Sequence, residues 1–200
     1  MMRDSDVRAT LRVLLREWHG EEPQARIVEE FGIGNGDVRV DLVAIDEWLH
    51  GYEIKSDLDT LARLPTQAKR YSQALDRVTL IVGERHHSRA KRMVPEWWGV
   101  KTAVPIRPGL VRLYPDREPR PNPQVDPFTV ASLLWRSEAL ELLNSMDALG
   151  GLKSKAGAFL YNRVTQVFSL EELQAFVRAK LKSRTDWRTD EELPMDPGQD

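Results

Sequence analysis

Three side chains in one short stretch of this 200-residue sequence are of types and spacing that could do chemistry together. In DLVAIDEWLHGYEIK, residues 41–55, Glu53 follows Asp41 by twelve positions and Lys55 lies two further on. The stretch reads as two short antiparallel strands. If their turn centres on Glu47, Asp41 faces Glu53 with Cβ atoms about 4.5–5.5 Å apart. A turn slipped by one residue makes the pair diagonal, still within reach of one metal ion. Two such carboxylates repel, and a divalent cation between them removes the repulsion. Mg²⁺, with Mn²⁺ as its substitute, suits one or two carboxylates, retained waters and substrate phosphate oxygens. Lys55 shares the face of Glu53, because alternate strand residues point the same way. Its ammonium could orient an attacking water or stabilise the charge developing on a scissile phosphate. The chemistry implied is metal-dependent phosphodiester cleavage. Ile54 faces the other way, into the core, with its carbonyl available as a ligand.

Further candidates flank this stretch. Glu29 and Glu30 on the preceding strand could each supply a third carboxylate. Glu30, beside Phe31 at the start of the turn, is favoured, although strand alternation alone does not choose. Gln67 and Tyr71 are four apart on the helix that follows and share a face. Lys69 and Arg70 on that helix could reach phosphates. The plainer reading is a surface salt bridge among Asp41, Glu53 and Lys55. Against it, both carboxylates sit in apolar strands, where an unpaired charge is costly.

The elements that must position these residues follow from hydrophobic periodicity. Val7, Leu11, Leu14, Leu15 and Trp18 mark an amphipathic helix over 4–18, with Asp4 or Ser5 as cap and Gly20 as stop. Residues 25–33 read as a strand, the GNGD after them as a turn, and 38–45 and 48–55 as the strand pair. Pro65 suits the first turn of a helix ending near Leu75. RVTLIVG, 77–83, is an apolar run fit for a sheet interior. A short helix near 88–94 and strands at 97–104 and 110–114 complete the first part. PDREPRPNPQVDP, 115–127, reads as a proline-rich linker or long surface loop. Helices are expected at 128–146, 155–168 and 170–183, the last opened by a capping box of Ser169 and Glu172. The expected organisation is a core over 1–115, a linker over 116–126, a helical annex over 127–183 and a loose tail over 184–200.

The segment VRVDLVAI…GYEIKSDLDTLARLPTQAKRYSQALDRVTLIVG resembles the PD-(D/E)XK nuclease superfamily. More narrowly, it is similar to a small family of bacterial proteins related to the MmcB-type DNA-repair nucleases. The resemblance covers about residues 25–115, and Trp97–Trp98–Gly99 and the stretch from Asp126 to Trp135 also match the narrower family. It implies an α/β, restriction-endonuclease-like core: a central four-stranded mixed sheet flanked by helices, here with a C-terminal helical annex. It implies metal binding by Asp41 and Glu53, Lys55 as the catalytic lysine, Glu30 as an accessory acid, and Gln67 and Tyr71 as the additional motif of some branches. Val40 stands where the motif's name has proline, a position that varies in the superfamily, and the superfamily includes inactive members.

Composition sets the outer bounds. With 41% hydrophobic and 30% charged residues, the chain is expected to be soluble and globular. There is no cysteine, which excludes disulfides and cysteine zinc sites and suits a reducing cytoplasm. No apolar run approaches the roughly 20 residues of a membrane span, and the N-terminus lacks a signal peptide's apolar core. Net charge is only −2, but it is uneven: −7 over 1–60, +8 over 61–120 and −3 over 121–200. A basic middle beside an acidic first part suits a phosphate-binding surface next to a cation site, though a solvated basic face would look the same.

Other residues take plainer roles. His86 and His87 lack two further zinc ligands and read as a helix start. His50 reads as structural. One of Trp97 and Trp98 should be core, the other packed under the annex or stacked on a base. Gly32–Gly36 matches neither a P-loop nor a dinucleotide fingerprint, and no serine-nucleophile elbow is present. Three readings follow: a Mg²⁺-dependent nuclease acting on DNA in defence or repair, a DNA-binding module of the same fold with weak or no chemistry, and an interaction protein whose annex docks a partner. A single site per chain would favour a homodimer for cutting both strands.

Overall fold

A computed structural model describes residues 2–19, 25–34, 36 and 38–184. The expected helix stop at Gly20, part of the GNGD turn and all but the first residue of the expected tail lie outside these residues. Six strands form one mixed sheet in sequence order: β1 (Arg26–Ile33), β2 (Val38–Ile45), β3 (Leu49–Lys55), β4 (Arg77–Gly83), β5 (Gly99–Arg107) and β6 (Leu110–Arg117). β3, β4 and β5 run parallel to one another, and the other neighbours are antiparallel. The sheet therefore has two more strands than the four implied by the resemblance.

The two faces of the sheet are covered by different parts of the chain. Helix α1 (Asp4–His19) lays Val7, Leu11 and Leu15 on one face, against Leu42, Ala44, Tyr52, Ile54 and Ile81. The other face carries α2 (Leu64–Ala74), joined by residues of the C-terminal helices. β4 shows why its run is apolar throughout: Val78, Leu80 and Val82 enter the α2-side core and Ile81 the α1-side core. Gly51 lets β3 and α2 approach closely, since a Cβ there would lie 2.5 Å from Leu75 Cδ1. Among the described residues, no helix is long and apolar enough to cross a membrane.

The C-terminal part consists of α4 (Pro127–Ala131), α5 (Arg136–Ser145), a short 3₁₀ turn, α6 (Gly157–Val167) and α7 (Leu170–Ser183), with α3 (His87–Met93) following β4. The single helix expected over 128–146 is broken at 132–135. There the Ser132 hydroxyl turns back to Thr129 O, and the Trp135 N–H is taken by the Glu138 carboxylate at 2.6 Å, which starts a new helix. The proline-rich segment is held against α2. Asn122 Nδ2 donates to Ser72 O at 2.8 Å and Leu75 O at 2.7 Å, satisfying carbonyls that the end of α2 leaves unpaired. Asp126 then caps α4 through Thr129 N. The capping box at Ser169 and Glu172 forms as expected. Both Trp97 and Trp98 precede β5 rather than lying in it, and both are buried in the α2-side core. The ring of Trp98 stacks on Tyr71 at a centroid distance of 5.9 Å.

Candidate functional site

The β2–β3 register pairs Leu42 with Tyr52 and Val43 with Gly51. Continued one step, it sets Asp41 opposite Glu53. Here β2 parts from β3, and the Asp41 side chain replaces the missing ladder bond: its Oδ2 accepts from Ile54 N at 2.7 Å.

A kink across two strands brings a third carboxylate to the same level. Val28 and Phe31 are three apart, yet both enter the α2-side core, as do their partners Val43 and Val40. In a regular strand, residues three apart lie on opposite faces. The register on either side of the kink sets Glu30 opposite Asp41, and Glu30 adopts a left-handed φ of 50°. For a non-glycine residue this costs about 1–3 kcal/mol. The strand period could not choose between Glu29 and Glu30 because the period is broken at that point. The structure separates them: Glu30 lines the cleft described next, whereas Glu29 is held by Arg12 and Arg8.

An open cleft of about 760 Å³ lies over these residues, lined among others by Glu30, Asp41, Glu53, Lys55 and Gln67. Glu53 is only 1% exposed and both of its oxygens have hydrogen-bond partners. Oε1 accepts from Lys55 Nζ and from Gln67 Nε2, and Oε2 lies 2.6 Å from the Tyr71 hydroxyl. That hydroxyl is also 2.6 Å from Arg39 O, so its one proton serves a single acceptor at a time. Burial, and then the Glu53 charge, push the Tyr71 phenol far above its ordinary value, which keeps it a donor. Gln67 Oε1 is buried without a protein partner, a free acceptor on the cleft wall.

The electrostatics are those of too much buried negative charge. Burial, and then the neighbouring Glu53, push the Asp41 carboxyl up to about 7, against the lowering effects of Ile54 N–H, Arg8 and Lys55. Arg8 enters from α1. Its Nη2 meets Asp41 Oδ1 at 3.0 Å and its Nη1 meets Asp41 O at 3.1 Å and Glu30 Oε1 at 3.2 Å. Burial works against the guanidinium, but Asp41, Asp4 and Glu30 more than offset it and hold it above its ordinary value.

The sequence expectation gathers unevenly here. Asp41, Glu53, Lys55, Glu30 and Gln67 line one cleft, with Tyr71 bonded beneath. Lys69 and Arg70 do not line it and are exposed elsewhere on α2. Spacing explains this for Lys69, which lies opposite the side that Gln67 shares with Tyr71; Arg70, three beyond Gln67, is nearer that side and is still no part of the lining. Besides Lys55, the basic residues that line the cleft are Arg39 and Arg63, both exposed, and Arg8, none of which sequence reading singled out. Arg63 sits four before Gln67, a spacing that could have found it.

Two opposed carboxylates, the Ile54 backbone between Glu53 and Lys55, and a free amide oxygen fit a single divalent cation that keeps most of its waters. They do not make an all-protein cage: among the described residues, no group of three or more His, Cys, Asp or Glu is placed to hold a metal ion.

No solved structure matches the chain. Protein cII of Enterobacteria phage P4 is 26% identical over 197 residues, covering 92% of this chain and 68% of the phage protein. The family described as Bacteriophage P4 protein cII matches residues 3–192, nearly the whole sequence. The chain therefore belongs to the bacteriophage P4 protein cII family.

Proposed function

We propose that this protein is a metal-dependent nuclease that hydrolyses phosphodiester bonds, with DNA as substrate in a defence or repair setting. The observation that supports this reading most is the cleft itself. It sets Asp41 against Glu53, buries Glu53 and part-buries Asp41, and raises the Asp41 carboxyl to about 7 through burial and then the Glu53 charge. A purely structural ion pair would be matched by its partners. The resemblance to PD-(D/E)XK nucleases supports the same reading through the same residues. A Mg²⁺ or Mn²⁺ ion held by Asp41, Glu53 and the Ile54 carbonyl would supply Lewis-acid activation of water and of the phosphoryl oxygen.

The side chains of the chain do the rest. Lys55 Nζ, 5% exposed and paired with Glu53, orients the attacking water and offsets charge building on the phosphate. Gln67 and Tyr71 fix the Glu53 carboxylate in one orientation by donating to both of its oxygens. Glu30, across from Asp41 and half-exposed, is placed to accept a proton or hold a water at the cleft edge. Arg39 and Arg63 at the rim take up backbone phosphates, the role expected of Lys69 and Arg70 from sequence. Cutting both strands with one site per chain calls for a homodimer or a protein partner, for which the C-terminal helices are the available surface.

The test is incubation of the purified protein with supercoiled, linear and single-stranded DNA in Mg²⁺, Mn²⁺ or EDTA, beside Asp41→Ala and Lys55→Ala. Metal-dependent cleavage lost in both variants is the expected result. Salt-sensitive binding without cleavage would replace this reading with a DNA-binding module of the same fold. That second reading is favoured by one observation, the guanidinium of Arg8 seated among the carboxylates.

A further inference from the structure

Arg8 reaches the cleft from α1, thirty-three positions before Asp41 in sequence. Its guanidinium touches four carboxylates: Asp4 at 3.1 Å, Asp41 at 3.0 Å, Glu30 at 3.2 Å and Glu29 at 3.6 Å. It also donates to the Asp41 carbonyl at 3.1 Å. So many acidic contacts leave little positive field for a substrate phosphate. The contact with Asp41 is specific in its atom. Oδ2 is held by Ile54 N, so Oδ1 is the oxygen a ligand would seek, and Oδ1 is the oxygen Arg8 holds.

We propose that Arg8 is a resident counter-ion at the cation position, which a divalent ion must displace in order to bind. This rests on the metal-dependent reading above and adds a gate to it. The geometry supplies both halves of the exchange. A guanidinium is broad and singly charged, and it donates hydrogen bonds but cannot coordinate. A divalent ion brings twice the charge to the same oxygens. The displaced side chain has somewhere to go: Asp4, one turn earlier on α1 and 41% exposed, holds Nε at the cleft rim. Arg8 can pivot about that contact and release Asp41 and Glu30 without losing its ion pair. Glu30, freed from Arg8, keeps its left-handed backbone and faces the incoming ion. The identity of residue 8 thus sets how much metal the cleft needs, separately from the residues that ligate it.

The experiment is a calorimetric titration of the full chain with Mn²⁺ alone, without nucleic acid, for wild type, Arg8→Gln and Asp41→Asn. Removal of a like charge next to the ion is expected to tighten Mn²⁺ binding about tenfold in Arg8→Gln. Asp41→Asn is expected to abolish binding. A second measurement needs no variant of Arg8 to fold: the Arg8 Nη–Hη resonances of the wild-type chain, followed by NMR as Mg²⁺ is added, should shift as the Asp41 contact is lost. Equal or weaker Mn²⁺ binding by Arg8→Gln, or an Arg8 resonance that stays in place while Mg²⁺ binds, overturns the proposal and leaves the metal reading standing. If neither wild type nor Arg8→Gln binds Mn²⁺, the metal reading falls and this proposal falls with it.

Discussion

Two buried carboxylate centres sit on this sheet, and they are built on opposite plans. Asp76, between α2 and β4, is 5% exposed. Its Oδ2 accepts from Leu49 N at 2.7 Å and Arg178 Nη1 at 3.0 Å, and its Oδ1 accepts from Gln174 Nε2 at 2.6 Å. Burial raises its pKa, but Leu49, Arg178 and Gln174 all pull it back. At Asp41, burial also raises the carboxyl, and the next largest influence, Glu53, raises it further. One centre brings a cation and neutral donors to a single acid. The other brings a second acid and opens to solvent. Burial of a carboxylate is common to both. What distinguishes a joint from a site is whether the largest charge effect on the acid comes from a cation, as from Arg178 at Asp76, or from a second acid, as from Glu53 at Asp41.

That contrast can be broken by substitution. Asp76→Ala should cost about 3–5 kcal/mol, since it leaves the Leu49 N–H, Gln174 and the part-buried Arg178 without their shared acceptor; urea unfolding measures this, and a cost under about 1 kcal/mol would remove the distinction. Asp41→Asn should do the reverse. Cleavage should fall on the order of 10²–10³-fold, as when a charge-stabilising group is lost, while the melting temperature holds or rises because a repulsion is gone. Gln67→Ala should lower cleavage by roughly 10–100-fold through a misplaced Glu53, with Km for DNA little changed.

A pH test uses a third, part-buried group. His50, bonded to Thr79 and stacked on Tyr52, is pushed down to about 3 by burial and then by the positive charges of His19 and Arg77, with Asp46 acting the other way. Its folded value lies below the ordinary 6.5, so the unfolded chain binds the extra proton. Stability from this group is therefore present above the ordinary value and is lost as pH falls from there toward 3, by at most about 1.4 kcal/mol per pH unit. His50→Asn should flatten the acid limb of stability against pH, and an unchanged slope would count against a neutral, part-buried histidine. The smallest effect expected is from Ser169→Ala, about 1 kcal/mol from the lost cap of α7. Because α7 carries Gln174 and Arg178, hydrogen exchange at Leu49 N–H should quicken with it.

The strand pair and the paired acids were readable because local rules fix them. A turn centred on Glu47 predicts the register found, with Leu42 opposite Tyr52, and four-residue spacing predicts the Gln67–Tyr71 side of α2. β2 and β4 have the bounds expected from their apolar runs. What stayed hidden depends on packing between distant elements. Arg8 matters only because α1 crosses the sheet where it does. Glu30 is selected by a two-strand kink that no alternation rule contains. The break at 132–135 was masked by Leu133 and Leu134, which continue an apolar pattern while the backbone turns. Charge alone suggests Lys69 and Arg70; the helical spacing that pairs Gln67 with Tyr71 turns Lys69 away, whereas Arg70 lies outside the cleft lining despite standing three beyond Gln67.

The joint at Asp76 also orders events in time. Every side chain named in the cleft comes from residues 4–67, with Tyr71 just after, whereas Gln174 and Arg178 follow Asp76 by 98 and 102 positions. A chain made from its N-terminus can lay out the sheet and cleft from neighbouring strands long before α7 exists. Until then Asp76, just before β4, has the Leu49 N–H but lacks its two side-chain donors. Completion of the last helix thus adds Gln174 and Arg178 to a joint that the β3–β4 ladder and the Leu49 N–H have already begun. A nascent chain would carry its cleft residues early and complete this joint late.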